Sequence, residues 1–236
     1  MHVRVNLNRS SEPQPSQLDE LAGHNTTWSD FKYFKGSEIF GEGEPAEYVY
    51  QIRQGAIRTC KLLSDGRRQI GAFHLPGDIF GVENGEVHRF TAEAIVDTEV
   101  RLAKRRSILA GLTQGDIAIT KYVTDLVTRS LEQVENHLVL LGRQSALEKV
   151  ASFLVEMDRR WGKPDVMVLP MNRRDIADYL GLTIETIARA MSTLRDEGVL
   201  TFLGKTQREI VLHDRHKLLA RSQVLGAIKS RSKRCG

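Results

Sequence analysis

The 236 residues predict an α+β chain in three parts: a small antiparallel β-barrel or jelly roll, a long helix with an apolar seam, and a winged helix-turn-helix. Three observations predict it. Gly55, Gly66 and Gly77 fall 11 residues apart and separate strand-like runs. Val127, Leu131, Val134, Leu138 and Leu141 recur at alternating steps of four and three, the spacing of one helical seam. The stretch from Arg173 to Arg195 carries a small residue, a turn glycine and apolar positions where two crossing helices need them.

Residues 1–27 read as a loose leader, with Pro13, Pro15 and few large apolar groups. Residues 28–112 read as the barrel. Tyr48 to Arg53, Ala56 to Leu62 and Gln69 to Leu75 are rich in β-branched and aromatic residues, which suit strands. Asp65-Gly66 marks a hairpin, because glycine accepts the positive φ of a tight turn. Barrels of this kind also host metal enzymes. Such a centre needs histidines and a carboxylate together, and the nearby set is His74, His88 and Glu93, without His-x-His spacing. No catalytic residue, metal ligand or cofactor is therefore assigned. A lone barrel histidine is expected to be packed or at the surface.

Residues 113–143 read as one helix. Between Gly115 and Arg143 only Gly142 interrupts a stretch free of glycine and proline. The seam becomes polar at Thr124 and Thr120. A helix of roughly 30 residues is about 45 Å long and outruns a small barrel. The seam residues Val127, Leu131, Val134, Leu138 and Leu141 are thus expected to meet the same helix of a second copy. Packing on the chain's own barrel is the alternative.

Residues 144–223 read as the second domain, and 224–236 as a basic tail. Ser145 to Arg160 predicts a helix with Leu147, Val150, Ala151, Phe153, Leu154 and Met157 on one face. Trp161-Gly162-Lys163-Pro164 stops it. Ile176, Ala177 and Leu180 then give a short helix its apolar face, Gly181 turns the chain, and Leu182 fills the corner. Thr183 is placed to cap the next helix. In that helix Ile187, Ala190 and Leu194 face the core, while Ile184, Glu185, Ala188, Arg189 and Ser192 face outward.

This outward face suits double-stranded DNA. An arginine fork matches guanine O6 and N7, and a carboxylate can accept from cytosine N4. Arg189 and Glu185 are therefore the candidate base readers, flanked by Ile184 and Ala188. Glu185 could also hold Arg189 as an i,i+4 pair. Thr183, Thr186, Ser192 and Arg195 are candidates for phosphate contacts, which position without specifying. Val199 to Leu203 and Glu209 to Leu212 predict a two-stranded wing. Lys205, Gln207 and Arg208 at its turn are further phosphate candidates, or else a solvated hairpin tip.

Charge supports a polyanion partner. Residues 1–143 hold 17 Lys/Arg against 19 Asp/Glu, whereas residues 144–236 hold 17 against 11. From Arg215 onward there are seven basic residues and no acid. No apolar run approaches the ~18 residues of a membrane span, and the polar first residues lack a signal peptide's apolar stretch. A cytoplasmic protein without a membrane partner is expected. Two cysteines, Cys60 and Cys235, cannot supply a disulfide framework or a four-cysteine metal or iron–sulfur site. Cys235, in the basic tail, is either a thiol activated by neighbouring cations or a terminal residue without a role.

The order of parts resembles the cAMP receptor protein/FNR superfamily over about residues 28–220. Pro76-Gly77-Asp78-Ile79-Phe80-Gly81, His88 to Ala94 and Leu169 to Thr186 look closest to its FixK-like branch. The family's Glu-x-x-Ser/Gly-Arg pattern falls on Glu185 to Arg189, with Ala188 at the variable place. The resemblance implies a cyclic-nucleotide-binding-like barrel, a homodimer, and a palindromic site of the TTG-N8-CAA type with half-sites one helical turn apart. Glu185 and Arg189 would read its G·C pair. It further implies an activator that works with RNA polymerase, in nitrogen fixation or microaerobic regulation. Cyclic-nucleotide members use a Gly-Glu pair and an Arg-Ser or Arg-Thr pair. Here Gly81 precedes Val82 and Arg89 precedes Phe90, so no cyclic nucleotide is expected. A haem- or ligand-gated sensor, with haem on His74 or His88, is the alternative. Many FixK-like proteins carry a cysteine where this chain has Asn172, so thiol control there is not expected.

Overall fold

The computed structural model describes residues 28–113, 117–143, 145–204 and 206–222. The leader, the basic tail with Cys235, and Lys205 lie outside them.

Eight strands form the barrel: β1 (Ser29–Tyr33), β2 (Glu38–Phe40), β3 (Tyr48–Gln54), β4 (Ile57–Leu62), β5 (Arg68–His74), β6 (Ile79–Phe80), β7 (Thr91–Ala94) and β8 (Thr98–Lys104). They make two four-stranded antiparallel sheets, ordered β1-β8-β3-β6 and β2-β7-β4-β5. The three strand runs expected from sequence are β3, β4 and β5. The Asp65-Gly66 turn joins the last two, with Asp65 Oδ1 accepting the Arg67 amide at 3.0 Å. Gly55 is obligatory: at φ 96° an added Cβ would lie 2.5 Å from Thr98 Oγ1. That hydroxyl accepts the Ala56 amide at 3.1 Å.

Two apolar clusters result. Phe40, Tyr50, Ile52, Ile57, Phe80, Ala92 and Val100 fill the barrel interior. The second runs through both domains: Ala56, Cys60, Ile70, Phe73, Leu75 and Ile95 of the barrel join Val150, Phe153, Leu154, Met157, Ile176, Tyr179 and Leu180 beyond it. The barrel and the C-terminal domain thus share a continuous core.

Two helices leave the barrel, α1 (Arg105–Thr113) and α2 (Ile117–Arg143). The sequence reading ended the barrel at 112 and began one long helix at 113. Residues 105–113 are instead a separate helix, whose glycine at 111 and short length hide it from a periodicity search. In α2 every residue from Val127 to Asn136 is exposed. Val127, Leu131, Val134 and Leu138 show 53%, 56%, 65% and 69% of their surface. α2 contacts α1, and its C-terminal end packs against the C-terminal domain. Leu140 is buried, and Leu141 is half-buried beside Gly181.

The C-terminal domain holds α3 (Ala146–Arg160), β9 (Met167–Val168), α4 (Arg173–Leu180), α5 (Ile184–Asp196), β10 (Leu200–Leu203), β11 (Glu209–Leu212) and α6 (Arg215–Arg221). Ser145 begins α3 with a capping box to Glu148. Val150, Ala151, Phe153, Leu154 and Met157 are buried on its inner face, with Leu147 packed at the edge. The wing is a three-stranded antiparallel sheet ordered β10-β11-β9. The sequence reading missed β9, since two residues carry no period, and α6. No described helix is long and apolar enough to cross a membrane.

Candidate nucleic-acid interface

Each end of the helix-turn-helix is set by a local hydrogen bond. Asn172 Oδ1 accepts the Asp175 amide at 2.9 Å, and Asp175 Oδ2 accepts the Asn172 amide at 3.2 Å. This reciprocal box starts α4. Gly181 ends α4 at φ 63°, the left-handed cap that favours glycine. Thr183 then caps α5, its hydroxyl accepting the Thr186 amide at 3.2 Å.

The burial of α5 divides by face. Ile187, Ala190, Met191 and Leu194 are buried. Ile184, Glu185, Ala188, Arg189 and Arg195 are exposed, and Thr186 and Ser192 are half-buried. Glu185 and Arg189 therefore stand side by side, one turn apart, on the solvent face. Glu185 is held below the usual carboxylate range by its own backbone amide first, then by the Thr183 hydroxyl, with a through-space pull from Arg189. It presents a charged acceptor at neutral pH.

The phosphate candidates differ among themselves. Thr183 and Thr186 sit at the α5 N-terminus with hydroxyls 3.0 Å apart, where amide donors and the helix dipole favour an anion. Arg195 is exposed but its Nε donates to Asp196 Oδ1 at 2.9 Å. In the wing, Gln207 is exposed with φ 53°, and Arg208 is half-buried. Lys205 falls outside the described residues.

Arg173, unmarked by the sequence reading, ties α4 to the wing. Its guanidinium lies 5.2 Å from the Phe202 ring centroid and donates to the Gln207 carbonyl at 3.1 Å. A second feature was equally invisible: barrel side chains grip α4. Arg58 Nη1 and Arg68 Nη2 donate to Asp175 Oδ1 at 2.6 and 2.7 Å, and Arg68 Nε donates to Asp178 Oδ2 at 2.9 Å. Burial works against the Arg68 charge, but Asp178 and Asp175 more than offset it, so its pKa is raised. Charge and spacing mark such residues only as surface polar groups. Their meeting follows from the tertiary packing.

The barrel histidines are packed. The His74 ring lies on Phe80 with Nε2 3.2 Å from Thr59 Oγ1. His88 is 2% exposed and stacks on Phe40 at 3.5 Å between centroids. Glu83 takes the Arg89 guanidinium at 2.7 Å and the Arg89 amide at 3.2 Å. Glu93 pairs with Arg58. Among the described residues no group of three or more His, Cys, Asp or Glu is placed to hold a metal.

Residues 148–221 match the family described as the Crp-like helix-turn-helix domain. Residues 31–116 match the cyclic nucleotide-binding domain. The chain is 43% identical over 192 residues to the nitrogen fixation regulation protein FixK of Azorhizobium caulinodans, spanning 79% of this chain and 76% of that protein. The solved structure of FixK2 from Bradyrhizobium japonicum matches with a TM-score of 0.79 and 52% identity, covering 84% of this chain and 98% of that one. A CRP-family transcriptional regulator from Thermus thermophilus, with TM-score 0.67 and 23% identity over 81% of this chain and 96% of that one, shares the fold.

Proposed function

Starting from a chain that belongs to the Crp/Fnr family of transcription regulators, in its FixK-like branch, we propose a homodimer that reads a palindromic TTG-N8-CAA-type DNA site without a bound effector. The chain is a regulator and not an enzyme. The observation that carries the reading is the divided burial of α5, with Glu185 and Arg189 on the open face of a helix whose other face is core. In a major groove Arg189 bonds guanine O6 and N7, and Glu185 accepts from cytosine N4. Ile184 and Ala188 meet the neighbouring bases. Thr183, Thr186, Ser192, Arg195, Lys205, Gln207 and Arg208 serve the phosphates.

The dimer reading is supported by α2. A helix exposed on all sides over ten residues, with four large apolar side chains in or beside them, gains little from its own chain. Pairing Val127, Leu131, Val134 and Leu138 with their counterparts buries that seam, and Leu141 closes its end beside the helix-turn-helix. The effector-free reading is supported by the barrel. Phe40, Tyr50 and Phe80 fill the interior, and Glu83 takes up the Arg89 guanidinium. Val82 and Phe90 replace the carboxylate and hydroxyl partners of ribose and phosphate. These residues do not fit a cyclic nucleotide. The two histidines considered for haem, His74 and His88, have rings packed on Phe80 and Phe40, which favours a structural part for both. The proposed setting is the cytoplasm and the proposed partner RNA polymerase, with the chain acting as an activator.

Recovery of preferred duplexes from random DNA tests the reading. Enrichment of an inverted repeat with TTG and CAA arms is expected. Enrichment of single arms, direct repeats or unrelated sequence would overturn it.

A further inference from the structure

We infer that Arg58 and Arg68 of the barrel are positioning residues for DNA reading: through Asp175 and Asp178 they set the angle at which the chain presents its recognition helix. This rests on the dimeric, palindrome-reading function proposed above.

The contacts converge on α4. Asp175, its side chain 2% exposed, receives Arg58 and Arg68 on one oxygen and the Asn172 amide on the other. Arg68 reaches on to Asp178 Oδ2, and Gln69 Nε2 donates to the Asp178 carbonyl at 2.8 Å. Glu93 on β7 fixes the far side of Arg58 at 2.8 Å. Each arginine therefore has two carboxylate partners: Arg58 takes Glu93 of its own sheet and Asp175 of α4, and Arg68 takes Asp175 and Asp178 of α4. The helix they grip packs directly on α5. The barrel thereby steers α5 through one rigid intermediary.

Cohesion alone does not call for this arrangement. Phe73, Phe153 and Tyr179 already join the domains with an apolar contact, their ring centroids 5.1–6.2 Å apart. A buried ion cluster seldom stabilises more than apolar groups of the same size would, because the desolvation cost offsets the attraction. What fork-shaped donors on a shared carboxylate add is direction. Direction matters in a dimer on a palindrome, since a small tilt of each head changes the distance between them.

The test compares the full-length parent with the variant Arg58→Met/Arg68→Met/Asp175→Asn, which removes both guanidiniums and the carboxylate they share, and with the milder Arg68→Lys. Affinity is measured for an optimal palindrome and for palindromes with one base pair inserted or removed between the arms. Melting and sedimentation report folding and assembly. The parent is expected to lose affinity sharply on the altered spacings. The triple variant is expected to stay a folded dimer, to bind the optimal site about tenfold to a hundredfold more weakly, the usual size of coupling between sites, and to lose most of its spacing penalty. Arg68→Lys, which keeps the charge without the fork, is expected to shift the penalty the same way by less. If the triple variant does not fold, Arg68→Lys decides. A folded variant with the parental spacing penalty, even at reduced affinity, assigns the cluster a structural role only and overturns the inference. A parent indifferent to spacing overturns the palindrome reading itself, and this inference with it.

Discussion

Thr183 Oγ1 accepts the Thr186 amide at 3.2 Å and lies 3.0 Å from the Thr186 hydroxyl. One side chain thus starts α5 and stands at the end proposed to face a phosphate. Thr183→Val keeps the volume and removes the acceptor. A stability loss of about 1 kcal/mol is expected in denaturant titration. DNA affinity should fall for every sequence alike, while the preference at the G·C pair stays parental. A change in that preference would move Thr183 among the base readers.

Arg189 is the opposite case. Arg189→Ala should cost about 1–3 kcal/mol of discrimination at the G·C pair of each half-site. Arg189→Lys should recover little of it, because an ammonium lacks the two-pronged geometry. Competition binding with duplexes exchanged at that pair measures both. Retained discrimination in Arg189→Ala would refute the assigned role.

The α2 seam is tested by Leu131→Glu/Leu138→Glu. Charges placed opposite one another repel and lie in an apolar contact. Monomers are expected in sedimentation, with loss of palindrome binding. The barrel and C-terminal domain should still melt cooperatively, because these two side chains are exposed within one chain. Persistent dimers would count against the seam.

Stability should weaken in mild acid. Burial first, and Arg160 second, push His74 from 6.5 down to about 3. Burial also lowers His88 and His137. Such a group stays neutral when folded and charges when unfolded. Its contribution is complete above about pH 6.5 and is lost as pH falls toward 3, at about 1.4 kcal/mol per pH unit while it alone titrates. Asp78 and Glu156 are raised by burial and act in the opposite sense. His74→Gln isolates the histidine: its denaturation midpoint should fall less steeply than the parent's between about pH 6.5 and 4.5. Parallel slopes would show that His74 does not carry the effect.

Salt should weaken binding steeply, because each neutralised phosphate releases counterions. Arg208→Ala should reduce the slope of log affinity against log salt by about one per half-site contact. An unchanged slope would remove Arg208 from the phosphate set.

Much of the architecture was legible because it is written in local periods. The helix-turn-helix could be read residue by residue: Ile187, Ala190 and Leu194 are buried, Gly181 has positive φ and Thr183 caps. The three strands between Tyr48 and His74 showed through their glycine punctuation. What escaped is short or non-local. Met167–Val168 is too brief for a pattern, and helix 105–113 is hidden by its own glycine. The Arg58–Asp175 pair joins residues 117 apart in sequence. Nothing in the spacing of either marks it. Ser192, on the outward face by its spacing, is half-buried, and the seam residue Leu141 is half-buried beside Gly181, a contact between residues 40 apart that spacing does not mark.

If α2 pairs as proposed, its bare central stretch also makes the amount of chain a regulatory variable. An apolar helix that is satisfied only in pairs couples folding to mass action. At low abundance, paired chains accumulate with the square of the total, so a twofold rise in synthesis yields up to a fourfold rise in species able to span a palindrome. The same stretch, stranded on an unpaired copy, offers proteases an accessible segment, and turnover would then fall most heavily on the copies that have no partner.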